Sequence, residues 1–417
     1  MELKRVVVTG IGALTPIGNT AGEYWQSLIN GVSGAAPITL FDASKFKTQF
    51  ACEVKGFDVN DHFDRKEGRK LDPYSQFAMV ASSEAVLDAG LLDSNIDVDR
   101  IGVIWGSGIG GLTTVQEEIT NFSKGDGTPR FNPFFVPKMI ADIAAGLISI
   151  KYGFRGPNYA TVSACASSTN AIIDAYNLIR LDLADAFICG GSEATVNEIG
   201  VGGFNALHAL SQRNDSPSTA SRPFDRTRDG FVLGEGAGAL ILEELEHALK
   251  RGAKIYAEVA GGGMSGDAYH ITAPHPEGLG ALNVMKAALR DAKMNPSEID
   301  YVNVHGTSTP LGDVAETKAI LKTFGDHAYK FNISSTKSMT GHLLGAAGGI
   351  EAIACILAIK HDIVPPTINF TEADPDIDNN LNFTFNVAQE RVVNAALSNT
   401  FGFGGHNTSA IFKKFKD

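Results

Sequence analysis

Val6-Val7-Val8-Thr9-Gly10, near the start of the chain, and Tyr256-Ala257-Glu258-Val259-Ala260-Gly261, past its midpoint, decide the fold. Each is a short run of strand-forming residues that ends in Gly, and each opens a series with the same order of parts. After the first come apolar runs at Ile101–Trp105, Tyr159–Ser163, Ala186–Cys189 and Ala239–Leu242. After the second come Tyr301–His305, Phe331–Ser334, Ala395–Asn399 and Ser409–Phe412. Helical spacing fills the intervals at Tyr74–Ala89, Ser167–Leu181, Leu282–Ala292, Val314–Phe324 and Leu343–Ile359. Strands alternating with helices predict an α/β architecture whose sheets are covered on both faces. The matching order predicts a duplication that divides near Arg251 into halves 1–251 and 252–417, each with five strands. Gly125–Pro137, with Pro129 and Pro133 inside it, reads as an inserted loop.

Composition narrows the function. The 417 residues are long enough for a large core without disulfides or metals. Gly accounts for 45 of them, above the ordinary ~7 % share, which points to tight turns and close backbone approaches. Asp+Glu 47 against Lys+Arg 35 leaves a net charge of −12, which argues against nucleic acid and anionic membranes as partners. The apolar run after Met1 is too short for a signal peptide, and no stretch reaches the ~20 apolar residues of a membrane span. Cys52, Cys165, Cys189 and Cys355 lie far apart, so neither a disulfide framework nor a zinc site is indicated. A cytoplasmic protein is expected.

Three strand ends carry chemistry. In Thr161-Val162-Ser163-Ala164-Cys165-Ala166-Ser167-Ser168 a β-run meets a helix at a Cys flanked only by Ala and Ser. Small neighbours are what a sharp nucleophile elbow needs, and a helix N-terminus favours the thiolate. Cytosolic thiols are more commonly inert core groups; the elbow is what sets Cys165 apart. In Val302-Asn303-Val304-His305-Gly306-Thr307-Ser308-Thr309-Pro310 a strand delivers His305 ahead of three hydroxyls and a helix opening around Asp313. In Lys337-Ser338-Met339-Thr340-Gly341-His342-Leu343-Leu344-Gly345, His342 precedes a helix almost free of bulk, and Lys337 and Glu351 are spaced to form an orienting ion pair. Ligands of α/β folds bind at the carboxyl ends of strands, where this Cys and both His are expected. A thiolate nucleophile with two imidazole N–H donors suits carbon–carbon bond formation from thioesters. No His spacing suits a metal.

Gly106-Ser107-Gly108-Ile109-Gly110-Gly111 matches a dinucleotide-binding fingerprint and follows a strand. The acid that should end a second strand is instead Asp126, in the loop Ser123-Lys124-Gly125-Asp126-Gly127, so the nicotinamide reading is set aside.

The Cys165 segment, His305-Gly-Thr-Ser-Thr, Lys337 through Gly349, and Asn399-Thr400-Phe401-Gly402-Phe403-Gly404-Gly405 together resemble the β-ketoacyl-acyl-carrier-protein synthases, nearest to the elongating synthase II class of bacterial type II fatty-acid synthesis. The resemblance covers essentially the whole chain. It implies the thiolase fold, a five-layered αβαβα duplication with a five-stranded mixed sheet in each half. It implies that Cys165 accepts an acyl chain from acyl carrier protein, and that His305 and His342 stabilise the enolate formed as a malonyl group loses carbon dioxide. It also implies an oxyanion hole from the N–H groups of Cys165 and Phe403, with Phe403 as gate. Ile109 and Phe204 match pocket positions, Thr307 and Thr309 match pantetheine contacts, and Lys337 and Glu351 match supporting polar residues. No cofactor is implied, and a homodimer is. Carrier docking is expected at Arg65, Lys66, Arg69 and Lys70, whose simpler reading is a solvated helix start.

Thiolases carry a second active-site Cys that this chain lacks, and chain-initiating synthases carry Asn where His342 stands. Chain-length-factor subunits lack the nucleophile. Synthase I, a polyketide-type ketosynthase, a silent partner subunit and a thioesterase remain the rivals. Two positions depart from the family: His406 stands where Thr or Ser is usual, which would bring a third imidazole near the site, and His208 where Arg is expected.

Overall fold

The computed structural model describes residues 3–93 and 96–416. Ten strands join in one sheet: β1 (Val6–Leu14), β2 (Ile101–Gly106), β3 (Asn158–Thr161), β4 (Ala186–Glu193), β5 (Gly236–Glu244), β6 (Ala257–Gly266), β7 (Tyr301–Asn303), β8 (Asn332–Ser334), β9 (Ala395–Gly402) and β10 (His406–Lys413). Their lateral order is β8-β7-β9-β10-β6-β1-β5-β4-β2-β3. Read outward from the centre, both halves follow one sequence: first strand, fifth, fourth, second, third. In the first half β3, β2 and β4 are parallel while β5 and β1 are antiparallel to their neighbours. In the second half β8, β7 and β9 are parallel while β10 and β6 are antiparallel. The two five-stranded sheets expected are therefore present. They are joined where Val6, Val7 and Val8 pair with Val259, Glu258 and Ala257. Nothing in the residue spacing reports that junction, because period-two patterning fixes faces and not lateral neighbours.

Six helices complete the layers: α1 (Pro73–Asp88) and α2 (Ile143–Tyr152) outside the first sheet, α3 (Ser167–Arg180) and α6 (Ala347–His361) between the sheets, and α4 (Leu279–Ala292) and α5 (Pro310–Phe324) outside the second. Alternation along the strands sorts side chains into separate cores. On β2, Val103 and Trp105 join the outer core with Phe77 and Ile148, while Ile104 joins the central one with Ile172 and Ile353. On β9, Leu397 packs outward with Val284 and Ile320, while Ala396 faces the centre. The central helices approach closely because α6 opens with Ala347-Gly348-Gly349: a Cβ on Gly348 would collide with Thr169 Oγ1 of α3.

Three local expectations change. The helix after His305 begins at Pro310, because Pro at the first turn needs no N–H partner, and Asp313 is buried inside it. Gly125–Pro137 ends in a short helix, Phe135–Met139, and its Phe131 sits between Phe122 and Phe135 at ring-centroid distances of 5.3 and 5.5 Å. Among the described residues Leu344–His361 is long and apolar enough to cross a membrane, but 89 % of it is buried, and its apolar surface is the wall of the central layer.

Candidate active site

Cys165 stands in a single helical turn, Ala164–Ala166, between β3 and α3. Ala164 takes φ +52°, a left-handed conformation that reverses the chain in front of the thiol. The hydroxyl of Ser167 donates to Ala164 O at 2.7 Å and accepts the Ser163 N–H at 3.0 Å, which locks the elbow. The end of β9 lies against it: a Cβ on Gly402 would stand 2.7 Å from Ser163 O and 3.1 Å from Cys165 N. Gly402 thus keeps the Cys165 amide approachable. The Phe403 N–H is aimed at the same sulfur.

Both histidines arrive from the second half. His305 follows β7, and its backbone N–H and that of Gly306 donate to the carboxylate of Glu316 on α5 at 2.9 and 2.8 Å. The His342 N–H donates to Val232 O at 2.7 Å, and its carbonyl accepts from Gly234 N at 3.0 Å. His342 Nε2 lies 3.0 Å from Cys165 Sγ. The His305 ring stands 5.3 Å from that of His342 and nearly perpendicular to it, at 87°. Lys337 and Glu351 form a fully buried ion pair behind the rings, extended by Thr400 Oγ1 to Glu351 at 3.4 Å.

Electrostatics keeps the reacting groups neutral. Burial, followed by the charge of Lys337, pushes both imidazoles well below their ordinary 6.5. Burial pushes the Cys165 thiol up to about 12, against the pull of Lys337 and of the Phe403 N–H. This corrects the expectation of a thiol lowered by the helix N-terminus: the desolvation that comes with a deep cavity works against the charged form.

A cavity of about 560 Å³ opens over this group. It is lined by Cys165, His305, His342, Ile109, Phe204 and Phe403, with Thr307 and Thr309 along one wall. The two Thr hydroxyls are 3.0 Å apart. A chain of rings runs from His342 through Phe231 at 5.3 Å and Phe204 at 5.4 Å to Phe403 at 6.5 Å. His208, exposed and at φ +55°, lines the same cavity.

Some expected residues lie elsewhere. Arg65 and Lys66 occupy one helical turn capped by Asp64, with Arg69 and Lys70 following, all exposed and outside the cavity wall. Lys70 lies over the Phe134 ring at 5.4 Å. His406 brings no third imidazole into the cavity: it pairs with Gly402 across the β9–β10 turn and faces a separate surface depression with Val162 and Met264. Glu316, Phe231 and Glu193 were not anticipated. Glu316 sits seven residues beyond the His305-Gly-Thr-Ser-Thr run on the buried side of α5, and its burial is the only signal that marks it.

A neutral thiol at an elbow, paired with one imidazole and faced by a second across an apolar cavity, defines a condensing acyltransferase on the thiolase fold. Residues 3–248 match the beta-ketoacyl synthase N-terminal domain, and residues 256–371 match the C-terminal domain. The chain is 52 % identical over 416 residues to 3-oxoacyl-[acyl-carrier-protein] synthase 2 of Synechocystis sp., covering 100 % of this chain and 99 % of the relative. It is 49 % identical over 417 residues to the synthase 2 of Coxiella burnetii, covering 100 % of both. Among solved structures, a beta-ketoacyl synthase from Burkholderia phymatum aligns with TM-score 0.91 at 38 % identity, over 99 % of this chain and 100 % of that one. A type II polyketide ketosynthase solved with its acyl-carrier protein aligns with TM-score 0.90 at 35 % identity, with the same coverage. The chain belongs to the beta-ketoacyl synthase family.

Proposed function

We propose that this chain elongates fatty acyl groups by decarboxylative condensation, with Cys165, His305 and His342 as its catalytic residues. The activity is that of a 3-oxoacyl-[acyl-carrier-protein] synthase of the second type. Cys165 Sγ attacks the acyl thioester of a carrier protein, and its proton leaves with the carrier thiol; His342 Nε2, 3.0 Å away, is placed to hold that proton in transit. The N–H groups of Cys165 and Phe403 receive the oxyanion of the tetrahedral intermediate. Malonyl-carrier protein then enters. Its carboxylate meets neutral rings in a largely apolar cavity, and loss of carbon dioxide spreads the charge onto an enolate oxygen held by His305 and His342. The carbanion attacks the Cys165 thioester carbonyl, the C–S bond breaks, and Cys165 leaves as a thiolate that takes up a proton to restore the thiol; the 3-oxoacyl product is two carbons longer, with no cofactor needed. Lys337 and Glu351 support the rings from behind, Ile109 and Phe204 border the acyl chain, Phe403 gates it, and Thr307 and Thr309 bind the pantetheine arm.

The observation that carries this reading is the Cys165–His342 contact with His305 facing it at a right angle. The division of labour follows the two halves, 1–251 supplying the nucleophile and 252–417 both histidines. Basic Arg65, Lys66, Arg69 and Lys70 suit the acidic carrier protein. We also infer a cytoplasmic homodimer. Four unpaired thiols fit a reducing compartment, and β3 is an outermost strand with Tyr159 and Val162 exposed beside it, an edge that a second copy would cover.

Intact-mass spectrometry after mixing with palmitoyl-carrier protein and then malonyl-carrier protein tests the reading. An acyl adduct on the Cys165 peptide, discharged to a product two carbons longer, is expected; no adduct would sink it. Cys165→Gln should still release carbon dioxide from malonyl-carrier protein, whereas His305→Ala and His342→Ala should each lose ~10²-fold or more of that release.

A further inference from the structure

The glycine-rich stretch Gly106–Gly111 wraps an anion that belongs to the protein itself. Glu193, at the end of β4, is fully buried. Its Oε2 accepts the Gly108 N–H at 2.8 Å and the Gly345 N–H at 2.9 Å. Its Oε1 accepts the Ser107 hydroxyl at 3.0 Å and the Ile109 N–H at 3.2 Å. Two of the glycines are required by this contact: a Cβ on Gly108 would stand 2.9 Å from Glu193 Oε2, and one on Gly345 would strike Gly108 N. Ser107, Gly108 and Ile109 belong to the loop that carries Ile109 into the cavity wall, and Gly345 lies three residues past His342. Glu193 itself does not line the cavity.

We propose that Glu193 is a positioning residue that sets chain-length preference, its carboxylate tying the Ile109 wall of the acyl space to the turn that carries His342. Only an ionised carboxylate accepts four donors of this kind; a Gln in its place keeps one acceptor oxygen and turns an NH2 group toward N–H donors. A buried carboxylate with no cationic partner among the described residues is expensive, and burial here raises its carboxyl to about 7. Such a group is an uneconomical way to fill space. It is an effective way to make two loops share one anchor, so that an acyl chain displacing Ile109 is felt at the histidine. This inference rests on the acyl reading of the cavity.

The test uses full-length Glu193→Gln, with kcat and KM measured for butyryl- and palmitoyl-carrier protein, and malonyl decarboxylation measured without an acyl donor. We expect kcat/KM for palmitoyl to fall ~10-fold more than for butyryl. Decarboxylation should fall ~10-fold in kcat with KM for malonyl-carrier protein unchanged. Ser107→Ala, which removes one of the four donors and spares the carboxylate, should shift the palmitoyl-to-butyryl ratio in the same direction by ~3-fold, and it decides the matter if Glu193→Gln does not fold. An unchanged ratio in the variants, or losses that track only the folded fraction, would overturn the proposal. If wild-type Cys165 takes up no acyl group, the ketosynthase reading fails instead.

Discussion

At Cys165 two tendencies oppose one another. Helix α3 starts two residues on and favours the thiolate, while burial favours the thiol and carries it to about 12. With burial dominant, the alkylation rate of the free enzyme by iodoacetamide should climb steadily through neutral and mildly alkaline pH; a plateau already reached near pH 7 would show that the helix terminus prevails. The imidazoles follow the same logic, neutral at physiological pH because burial and Lys337 disfavour their charged forms. Cys165 and His305 were legible from the sequence because each closely follows a strand, and His342 because it precedes a helix whose start is almost free of bulk. Glu193 and Glu316 were not. Each is a single acid that joins segments remote from one another in sequence, and only the folded chain brings Gly108 and Gly345, or His305 and Asn399, to one carboxylate.

Each of the three site turns contains a non-glycine residue in the left-handed region: Ala164 before the thiol, Ser308 after His305 and Leu344 after His342. These positions cost of order 1–3 kcal/mol each and persist because the surrounding elements fix them. The elements themselves were largely readable. All ten strands of the sheet fall on the apolar runs, since short β-branched segments bounded by Gly are a strong signal. The close fit of α6 against α3 gives a contrast that can be measured. Gly348→Ala places a methyl into Thr169 and should destabilise by ~1–3 kcal/mol in denaturant unfolding. Gly146→Ala, in α2 with nothing within 4 Å of the new methyl, should be neutral or stabilise by up to ~1 kcal/mol. Equal effects from the two would mean that the central layer is more compliant than its contacts imply.

Across the whole molecule, buried ionisable groups set how stability responds to pH. Burial raises Glu193 and Glu316 to about 7 and Glu235 to about 8, from 4.5. The folded state then holds protons that the unfolded chain releases, so the contribution of these acids is complete below about pH 4.5 and is lost as pH rises through 7 to 8. His305 and His342, held well below 6.5, act in the opposite sense: their contribution is present above 6.5 and lost as pH falls. Of these groups only the acids act above pH 6.5, so Tm should decline between about pH 6.5 and 8 and then level off. Glu235→Gln keeps an acceptor for the Val54 N–H, 3.1 Å away, and should flatten part of that decline in scanning calorimetry. The same slope in variant and wild type would contradict it.

The place of β1 has a kinetic consequence. Its two neighbours are β5 and β6, so Val6–Leu14 pairs with strands at residues 236–244 and 257–266. During synthesis Val6–Leu14 emerges before both of these strands and has no partner until they have followed it. At ~5–20 residues per second that wait is tens of seconds, with a mostly apolar strand exposed throughout. A strand made well before both of its partners is among the last to find its register. Nascent chains interrupted before residue 266 should therefore be the ones that engage chaperones or aggregate.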